Sequence, residues 1–593
     1  MHVLLYFFVL FTTATLFSQN MKLAQSYYDT GEFTKAVLSY EKLYKKNPKH
    51  SSVILPLAKS YVQLNRYDDA IALLEKSYTN SPRRLEYLIE MGVIYKQQNY
   101  IEKANEIFKE FQLRNEEQPS RSTVYAQYFK DHNLLEQAIH CYKSAMTDDV
   151  PFDYNYEIGM LYGELGNYKE MFSSYIDYME ANRRYVPQIK RRLDEFITED
   201  PEEENNELFR RVLLRKIQQD PNVFYNELLS WLFVQQKQFR KAFLQEKAIY
   251  AQTGDGVLKL INLAIQVQEE KHFEVAEEIL DYVIKHHKDG VFEFSAYLEL
   301  QKIYINTYPK SEYTSIRKSY EKLIKKYKNI PDNLSLYLDY AYFIGFKLDD
   351  TKGAISFLKS TLKKQFFTKI EQARIEILLA DILIFEERFN QALIYYSKAK
   401  KKVKNHPIAQ EASFKIAKAS YYKGDFQWAQ TQLDVLKAST TQLIANDAMN
   451  LSLLIEDNTQ EDTLFTALQL YAKADLYTFQ QQPKKAMQLY EEIEQNYKGN
   501  QIEDDALFAK AQIFIAENNI KAAQKNLEKL ILFFPESLWC DDAHYLLGVA
   551  FRKQGNLPKA KEHFQKLIFD YADSIYYVDA QKAFRKLRGD QLE

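Results

Sequence analysis

Two groups of side chains in this sequence have residue types that could bind a metal ion. His272, His286 and His287 carry imidazoles, and an acidic run extends from Glu199 to Glu207. Adjacent histidines on a helix point about 100° apart, and no second spaced pair accompanies them. The acidic run lacks the alternate-residue spacing and the central glycine of a calcium-binding EF-hand loop. The sequence therefore predicts no metal site, and the acidic run is interpreted as a solvated loop.

Other residues with chemical potential also have simple structural explanations. Cys141 and Cys540 are the only cysteines and lie far apart along the chain, which predicts two buried, inert thiols and no disulfide. The tripeptide Arg588-Gly589-Asp590 matches an adhesion motif, but Gly589 is better interpreted as the end of the last helix. The sequence contains no glycine-rich phosphate loop, GxSxG, HExxH or CxxC motif. It therefore predicts no catalytic residue and no cofactor, and the protein is predicted not to be an enzyme.

The composition favours long helices with short connections. Only 15 glycines and 14 prolines occur in 593 residues, so few residues are available for tight turns. The 78 basic and 81 acidic residues leave a formal net charge of -3. Because no overall field attracts a polyanion, nucleic acid is not a predicted partner.

Small and aromatic residues recur at a fixed spacing along the chain. The spacing is about 34 residues in the first part of the sequence. Four successive units carry it, with the residues Ala24, Tyr27, Ala36 and Tyr40; Ala58, Tyr61, Ala70 and Leu74; Gly92, Tyr95, Ala104 and Phe108; and Ala126, Phe129, Ala138 and Tyr142. Small residues allow two antiparallel helices to approach closely, and the larger residues fill the space beside the next hairpin. The pattern predicts a series of stacked helix hairpins.

The same pattern continues towards the end of the chain with a longer period. The second small position is taken by Ala392, Ala429, Ala486, Ala523 and Ala560. Adjacent late units are about 37 residues apart, which is close to one helical turn longer. We therefore expect a longer first helix in each late unit.

These units resemble the tetratricopeptide repeat (TPR) family over most of residues 20–585. The resemblance implies an all-α fold, a superhelical solenoid of stacked TPR helix hairpins. The segment from Phe534, with its Asp541-Asp542-Ala543 helix start, looks like an exported subclass that includes periplasmic TPR proteins of the Tol-Pal system and of outer-membrane barrel assembly. A block from Ser420 to Asn458 is similar to one in large exported TPR proteins. This similarity implies a role in the cell envelope.

The sequence divides into six predicted segments. Residues 1–18 are a signal peptide, because Val3 to Phe17 is apolar and shorter than the roughly 20 residues of a spanning helix. The others are N-terminal TPR units (19–180), an irregular charged helical insert (181–222), central degenerate units (223–405), C-terminal units of longer period (406–585) and a tail (586–593). An uncleaved N-terminal anchor is the alternative. After cleavage, no membrane span is predicted.

The TPR resemblance implies a concave groove lined by the first helix of each unit. The positions that correspond to groove-lining positions include Tyr28, Phe414, Lys418, Tyr421, Phe508, Gln512 and Ile515. Aromatic residues at such positions could bind an extended or helical peptide. For any one of them, however, filling the space between repeats is the favoured interpretation.

The most favoured function is a non-catalytic scaffold or adaptor. It is expected to bind proteins or peptides in its groove and to be periplasmic or associated with the outer membrane. Envelope assembly and secretion are the processes that this location suggests. The alternatives are a cytoplasmic or inner-membrane-anchored adaptor and, less favoured, an enzyme or glycan-binding subunit.

Overall fold

A computed structural model describes residues 19–48, 50–117, 119–146, 152–288, 290–328, 333–364, 367–437, 442–459 and 465–589. The chain divides into two compact units, Met1–Gly254 and Asp255–Glu593. The regular structure of the described residues is helical throughout, as the all-α prediction requires. The predicted signal peptide and Asp590 lie outside the described residues.

The first unit contains helices α1 to α14. Their bounds are α1 (19–29), α2 (Phe33–Lys46), α3 (Ser51–Gln63), α4 (Tyr67–Asn80), α5 (Glu86–Gln97), α6 (Ile101–Glu117), α7 (Ser122–Asp131), α8 (Leu135–Ala145), α9 (Asn155–Glu164), α10 (Tyr168–Ala181), α11 (Val186–Leu193), α12 (Glu204–Gln219), α13 (Val223–Gln235) and α14 (Phe239–Thr253). The predicted charged insert corresponds to α11, α12 and their connections. Glu203, within the acidic run, caps α12 by accepting hydrogen bonds from the backbone of Asn205 and Asn206.

The second unit contains helices α15 to α32. Their bounds are α15 (Val257–Glu269), α16 (Phe273–His286), α17 (Val291–Thr307), α18 (Tyr313–Lys326), α19 (Leu334–Tyr342), α20 (Thr351–Leu362), α21 (Lys369–Phe385), α22 (Phe389–Lys402), α23 (Pro407–Tyr422), α24 (Phe426–Lys437), α25 (Gln442–Thr459), α26 (Thr466–Phe479), α27 (Pro483–Asn496), α28 (Ile502–Ala516), α29 (Ile520–Phe533), α30 (Cys540–Lys553), α31 (Leu557–Asp570) and α32 (Tyr577–Arg588). A π-helical turn, Phe343–Lys347, follows α19. The last helix ends at Gly589, whose φ of 83° is left-handed, as predicted for that glycine.

Most consecutive helices pair into antiparallel hairpins with short turns. In three hairpins of the first unit, an asparagine ends the first helix with positive φ: Asn65, Asn99 and Asn133. Asparagine tolerates this left-handed conformation better than most residues. The same place is taken by Gly424 and Gly555 in two late hairpins. The turn therefore depends on a residue that can reverse the chain immediately after the first helix.

The core of each unit lies between the hairpins, at the positions that carry the sequence pattern. Ala58, Ala70, Ala126 and Ala138 are almost completely buried in the first unit. In the second unit, Ala429 and Ala560 have no exposed surface. The register deduced from the small residues is therefore confirmed. Both cysteines are also buried and free, and burial raises the pKa of each thiol.

The late hairpins differ from the early ones in two ways. The first helices α23, α26, α28 and α30 contain 16, 14, 15 and 14 residues, compared with 13, 12, 10 and 10 in α3, α5, α7 and α9. The expectation of longer first helices is thus confirmed. In addition, α25 is inserted between two hairpins: it packs on α24, while α26 contacts α23 directly. The inserted helix includes the end of the block that begins at Ser420.

Candidate functional site

A cleft of about 660 Å³ lies in the second unit. One wall is the inserted helix α25, from Met449 to Asp457. The opposite wall is formed by the first turns of α28 and α30 and by the connection that runs from Phe533 to Trp539. Residues 573–575, just before α32, close one end. Because α25 forms one wall, this cleft depends on the inserted helix.

The cleft combines acidic and apolar side chains, so we name it the acidic cleft. Seven carboxylates line it: Asp457, Asp504, Asp505, Glu536, Asp541, Asp542 and Asp573. Among the described residues of its lining there is no lysine, arginine or histidine. Leu538 and Ile575 belong to the same lining, and their side chains are 63% and 82% exposed. The cleft therefore offers both negative charge and uncovered apolar surface.

Two carboxylates of the cleft are held in place by aromatic residues of the following hairpin. The indole Nε1 of Trp539 donates a hydrogen bond of 2.8 Å to Asp505 Oδ1. The hydroxyl of Tyr576 likewise donates to Asp542 Oδ1 at 3.0 Å. Trp539 also stacks on Phe508, with ring centroids 4.4 Å apart. This repeated contact fixes the first turns of α28 and α30, which carry the acidic pairs.

The acidic pairs are poorly compensated. Burial raises the pKa of Asp505 to about 8, and the neighbouring charge of Asp504 adds to the effect. Burial also raises the pKa of Asp504, and it raises the pKa of Asp542 to about 6 with a contribution from Asp541. The described residues that line the site thus hold these carboxylates close together, with no lysine, arginine or histidine among them.

Comparison with protein-family models identifies the repeated unit. Tetratricopeptide repeat models match residues 152–185 and 542–574, and a model described as anaphase-promoting complex, cyclosome, subunit 3, matches residues 14–77. Two segments of the chain therefore match tetratricopeptide repeats. One of the matches, over 542–574, includes Asp542 and Tyr545 and so reaches into the wall of the cleft.

Two solved structures are similar to the chain along nearly its whole length. One is titled "Structure of Naa15/Naa10 bound to HypK-THB"; identity is 11%, the TM-score is 0.30, and 97% of this chain and 96% of the other are covered. The other is titled "Crystal structure of APC/C hetero-tetramer Cut9-Hcn1"; identity is 13%, the TM-score is 0.23, and 95% of each chain is covered. No curated protein sequence matches the chain. Likenesses this distant bear on neither function nor partner.

The predicted TPR groove residues have very different environments. Tyr421 is fully buried, and Phe508 is almost fully buried against Trp539. Gln512 is exposed and Ile515 is 36% exposed, so both reach the surface of α28.

The other three groove residues are half-buried. Lys418 Nζ lies 3.8 Å from Asp475 Oδ2, Phe414 packs against the core, and Tyr28 contacts Phe33 edge-on at 5.4 Å. The predicted set is thus partly core and partly surface, and its contact with a partner stays a prediction.

Sequence reasoning did not single out the acidic cleft as a site. A signal was present, because the Asp504-Asp505 and Asp541-Asp542 pairs occupy the same place in successive TPR units. The Asp457-Asn458 end of the inserted helix was a second departure from the repeat. Only the fold brings these three acidic segments to one cavity.

Two further properties concern the described residues as a whole. None of the described helices is both long and apolar enough to cross a membrane. Within the described ranges, no three potential ligand side chains are grouped so that they could hold a metal ion. Of the three histidines considered from the sequence, His286 contacts the carbonyl oxygen of Tyr282 through Nδ1 at 2.8 Å.

The raised pKa of Asp505 predicts a specific dependence of stability on pH. The native state binds this proton more tightly than the unfolded state, whose aspartates have a pKa of roughly 4. The contribution of Asp505 to the free energy of unfolding should therefore fall as the pH rises from about 4 to about 8. Asp505→Asn keeps an oxygen for the Trp539 hydrogen bond but cannot ionise, so it should lose this part of the pH dependence.

The measurement is the urea midpoint of the second unit at pH 5, 7 and 9 for the wild type and for Asp505→Asn. The difference between the two proteins isolates Asp505 from His544 and His563, whose pKa values burial lowers to about 4 and whose effect on stability has the opposite sign. Parallel pH profiles in the two proteins would contradict the prediction.

Proposed function

We propose that this chain is a non-catalytic scaffold that binds other proteins through the surfaces of its TPR hairpins. The observation that supports the proposal best is an open cleft beside the TPR hairpins, in which large apolar side chains are exposed to solvent. Monomeric proteins rarely leave large contiguous apolar patches without a binding role. The cleft is built by an inserted helix and so distinguishes this chain from a plain series of repeats.

The second part of the proposal is that the scaffold acts in the periplasm or at the outer membrane. Its support comes from the sequence: the apolar segment from Val3 to Phe17 has the length of a signal peptide. The unit that begins at Phe534 also looks like exported TPR units. A role in envelope assembly or secretion would agree with both features.

The test is crosslinking in intact cells, followed by mass spectrometry of the purified full-length chain and its partners. We expect a processed N-terminus near Ser18 and crosslinks from the TPR surfaces to envelope proteins. Leu10→Arg interrupts the apolar segment and is expected to leave an unprocessed chain that starts at Met1. If the wild type keeps Met1 and captures only cytoplasmic proteins, the envelope part of the proposal fails. If it captures no protein at all, the scaffold function fails.

A further inference from the structure

Some of the carboxylates that line the acidic cleft make hydrogen bonds within the fold. Asp505 and Asp542 are hydrogen-bonded to Trp539 and Tyr576, so they have a structural role. Asp504 accepts a hydrogen bond from the backbone of Asp505. The remaining acidic groups of the lining are Asp457, Glu536, Asp541 and Asp573. A negative surface of this kind favours an approaching cation.

The rim of the acidic cleft also exposes large apolar side chains. Leu538 and Ile575 lie on one side, and Phe533, at 61% exposure, lies beside them. Met449 faces the cavity from the inserted helix and is 49% exposed. Removing such groups from water is favourable by about 25 cal/mol per Å². An occupant that covers them must therefore present apolar surface as well as charge.

The arrangement of the carboxylates excludes the simplest occupant within the described part of the chain. No three of these groups converge closely enough to hold a metal ion. They are spread instead along a cavity of about 660 Å³, from α25 to the segment before α32. Positive charges that match them must be separated from one another along an extended molecule. A polypeptide with several basic residues meets this requirement, and its other side chains can cover the apolar rim.

We propose that the acidic cleft binds a segment of a partner protein in which lysine or arginine alternates with large apolar residues. The inference rests on the proposed scaffold function and names the chemistry of the partner at this site. The basic groups pair with the carboxylates of α25, α28 and α30, and the apolar groups cover Leu538 and Ile575. Electrostatic complementarity and apolar contact together give the site its specificity.

Binding of such a segment is coupled to proton release. A cation beside Asp504 and Asp505 favours their charged forms and lowers their pKa values, which burial raises in the free protein. The affinity should therefore increase between pH 6 and pH 8.5. It should also decrease with added salt, because the charges at the rim are screened.

The first test uses synthetic peptides and the purified full-length chain. The probes are the peptide KLGKLGKLG, its acidic counterpart ELGELGELG, and KSGKSGKSG, which keeps the charge but lacks the apolar side chains. Binding is measured by calorimetry in two buffers of different ionisation enthalpy, which also counts the released protons. A Trp231→Phe/Trp428→Phe background leaves Trp539 as the single tryptophan of the chain and reports contact at the cleft itself.

Variants with matched charge changes locate the site. Glu536→Gln/Asp541→Asn/Asp573→Asn removes three acidic groups from the rim, and Leu538→Ser/Ile575→Ser removes its apolar part. The control, Glu517→Gln/Glu528→Gln/Glu562→Gln, changes three exposed acidic residues that do not line the cleft. We expect KLGKLGKLG to bind about tenfold more weakly to each cleft variant and unchanged to the control. The other two peptides should bind more weakly than KLGKLGKLG to the wild type.

Two results would overturn the inference: no binding of KLGKLGKLG, or equal binding to the cleft variant and the control. Concentration-dependent self-association that the triple cleft variant abolishes would also overturn it, by assigning the cleft to a second copy of the chain. Crosslinking separates this inference from the scaffold function. If the triple variant captures the same proteins as the wild type, the cleft is not their site but the scaffold function stands. If the wild type captures none, the scaffold function itself fails.

Discussion

Replacing Lys529 with methionine is expected to destabilise the second unit by about 3 kcal/mol. Lys529 Nζ lies 2.6 Å from Glu494 Oε1 and 3.2 Å from Glu503 Oε1. The side chain of Glu503 is only 3% exposed, so removal of the lysine leaves a buried carboxylate without its cation. Such an uncompensated charge costs more than the original ion pair contributes.

A neighbouring lysine supplies a matched control. Lys525 lies on the same helix, is exposed, and Lys525→Met makes the same chemical change outside the network. Lys529→Met/Glu503→Gln also removes the buried charge and should recover much of the lost stability. The measurement is urea unfolding combined with hydrogen exchange of α27, α28 and α29. Equal effects of Lys529→Met and Lys525→Met would contradict the expected role of the network.

The network also has a consequence for the acidic cleft. Glu503 directly precedes Asp504 and Asp505 in the first turn of α28. Lys510, which bonds Glu494 Oε2 at 2.6 Å, lies further along the same helix. The ion pairs therefore hold α28 against α27 and α29, while Asp504 and Asp505 of the same helix line the cavity. A loosened α28 should weaken the Trp539 hydrogen bond as well as the stability of the unit.

The fold could be predicted from the sequence because TPR packing depends on residue size at fixed positions. A buried Ala58 or Ala126 is needed wherever two helices approach closely, and the pattern shows this without knowledge of distant contacts. The stacking of hairpins follows, since no hairpin covers its own apolar face. The six predicted segments remain a prediction, and the first lies outside the described residues.

The candidate sites could not be predicted to the same extent as the fold, because they depend on which helices become neighbours. The repeat pattern places Tyr421 and Phe508 on the first helix of a unit, but it does not show what covers them. α26 contacts α23 directly, and Trp539 covers Phe508, so both aromatic residues are buried. The acidic cleft forms where α25 and three later segments of the chain come together. The fixed spacing of the repeat does not predict where such segments meet.

Replacing Phe564 with alanine is expected to destabilise the last TPR unit by about 3 to 5 kcal/mol. Phe564 has no exposed surface and packs on α30 at Gly548. A β-carbon at Gly548 would lie 2.6 Å from Phe564 Cε1, closer than carbon atoms approach one another. Glycine therefore fits this position, although it weakens a helix by about 1 kcal/mol relative to alanine. The ring and the glycine form one packing unit.

A double-mutant cycle tests this unit. Gly548→Ala alone should be destabilising, because the overpacking cost of about 1 to 3 kcal/mol outweighs the gain in helix propensity. In Gly548→Ala/Phe564→Ala the added methyl group enters the vacated space, so the double variant should be more stable than the sum of the single effects predicts. Gly92 and Phe108, where an added β-carbon would also meet the ring, should show the same coupling in the first unit. Gly92→Ala combined with Phe564→Ala is the control and should be additive, because contacts between repeats act only on neighbours. Hydrogen exchange of α30 and α31 measures these effects locally, and additive behaviour of the Gly548 cycle would show that the ring moves aside without cost.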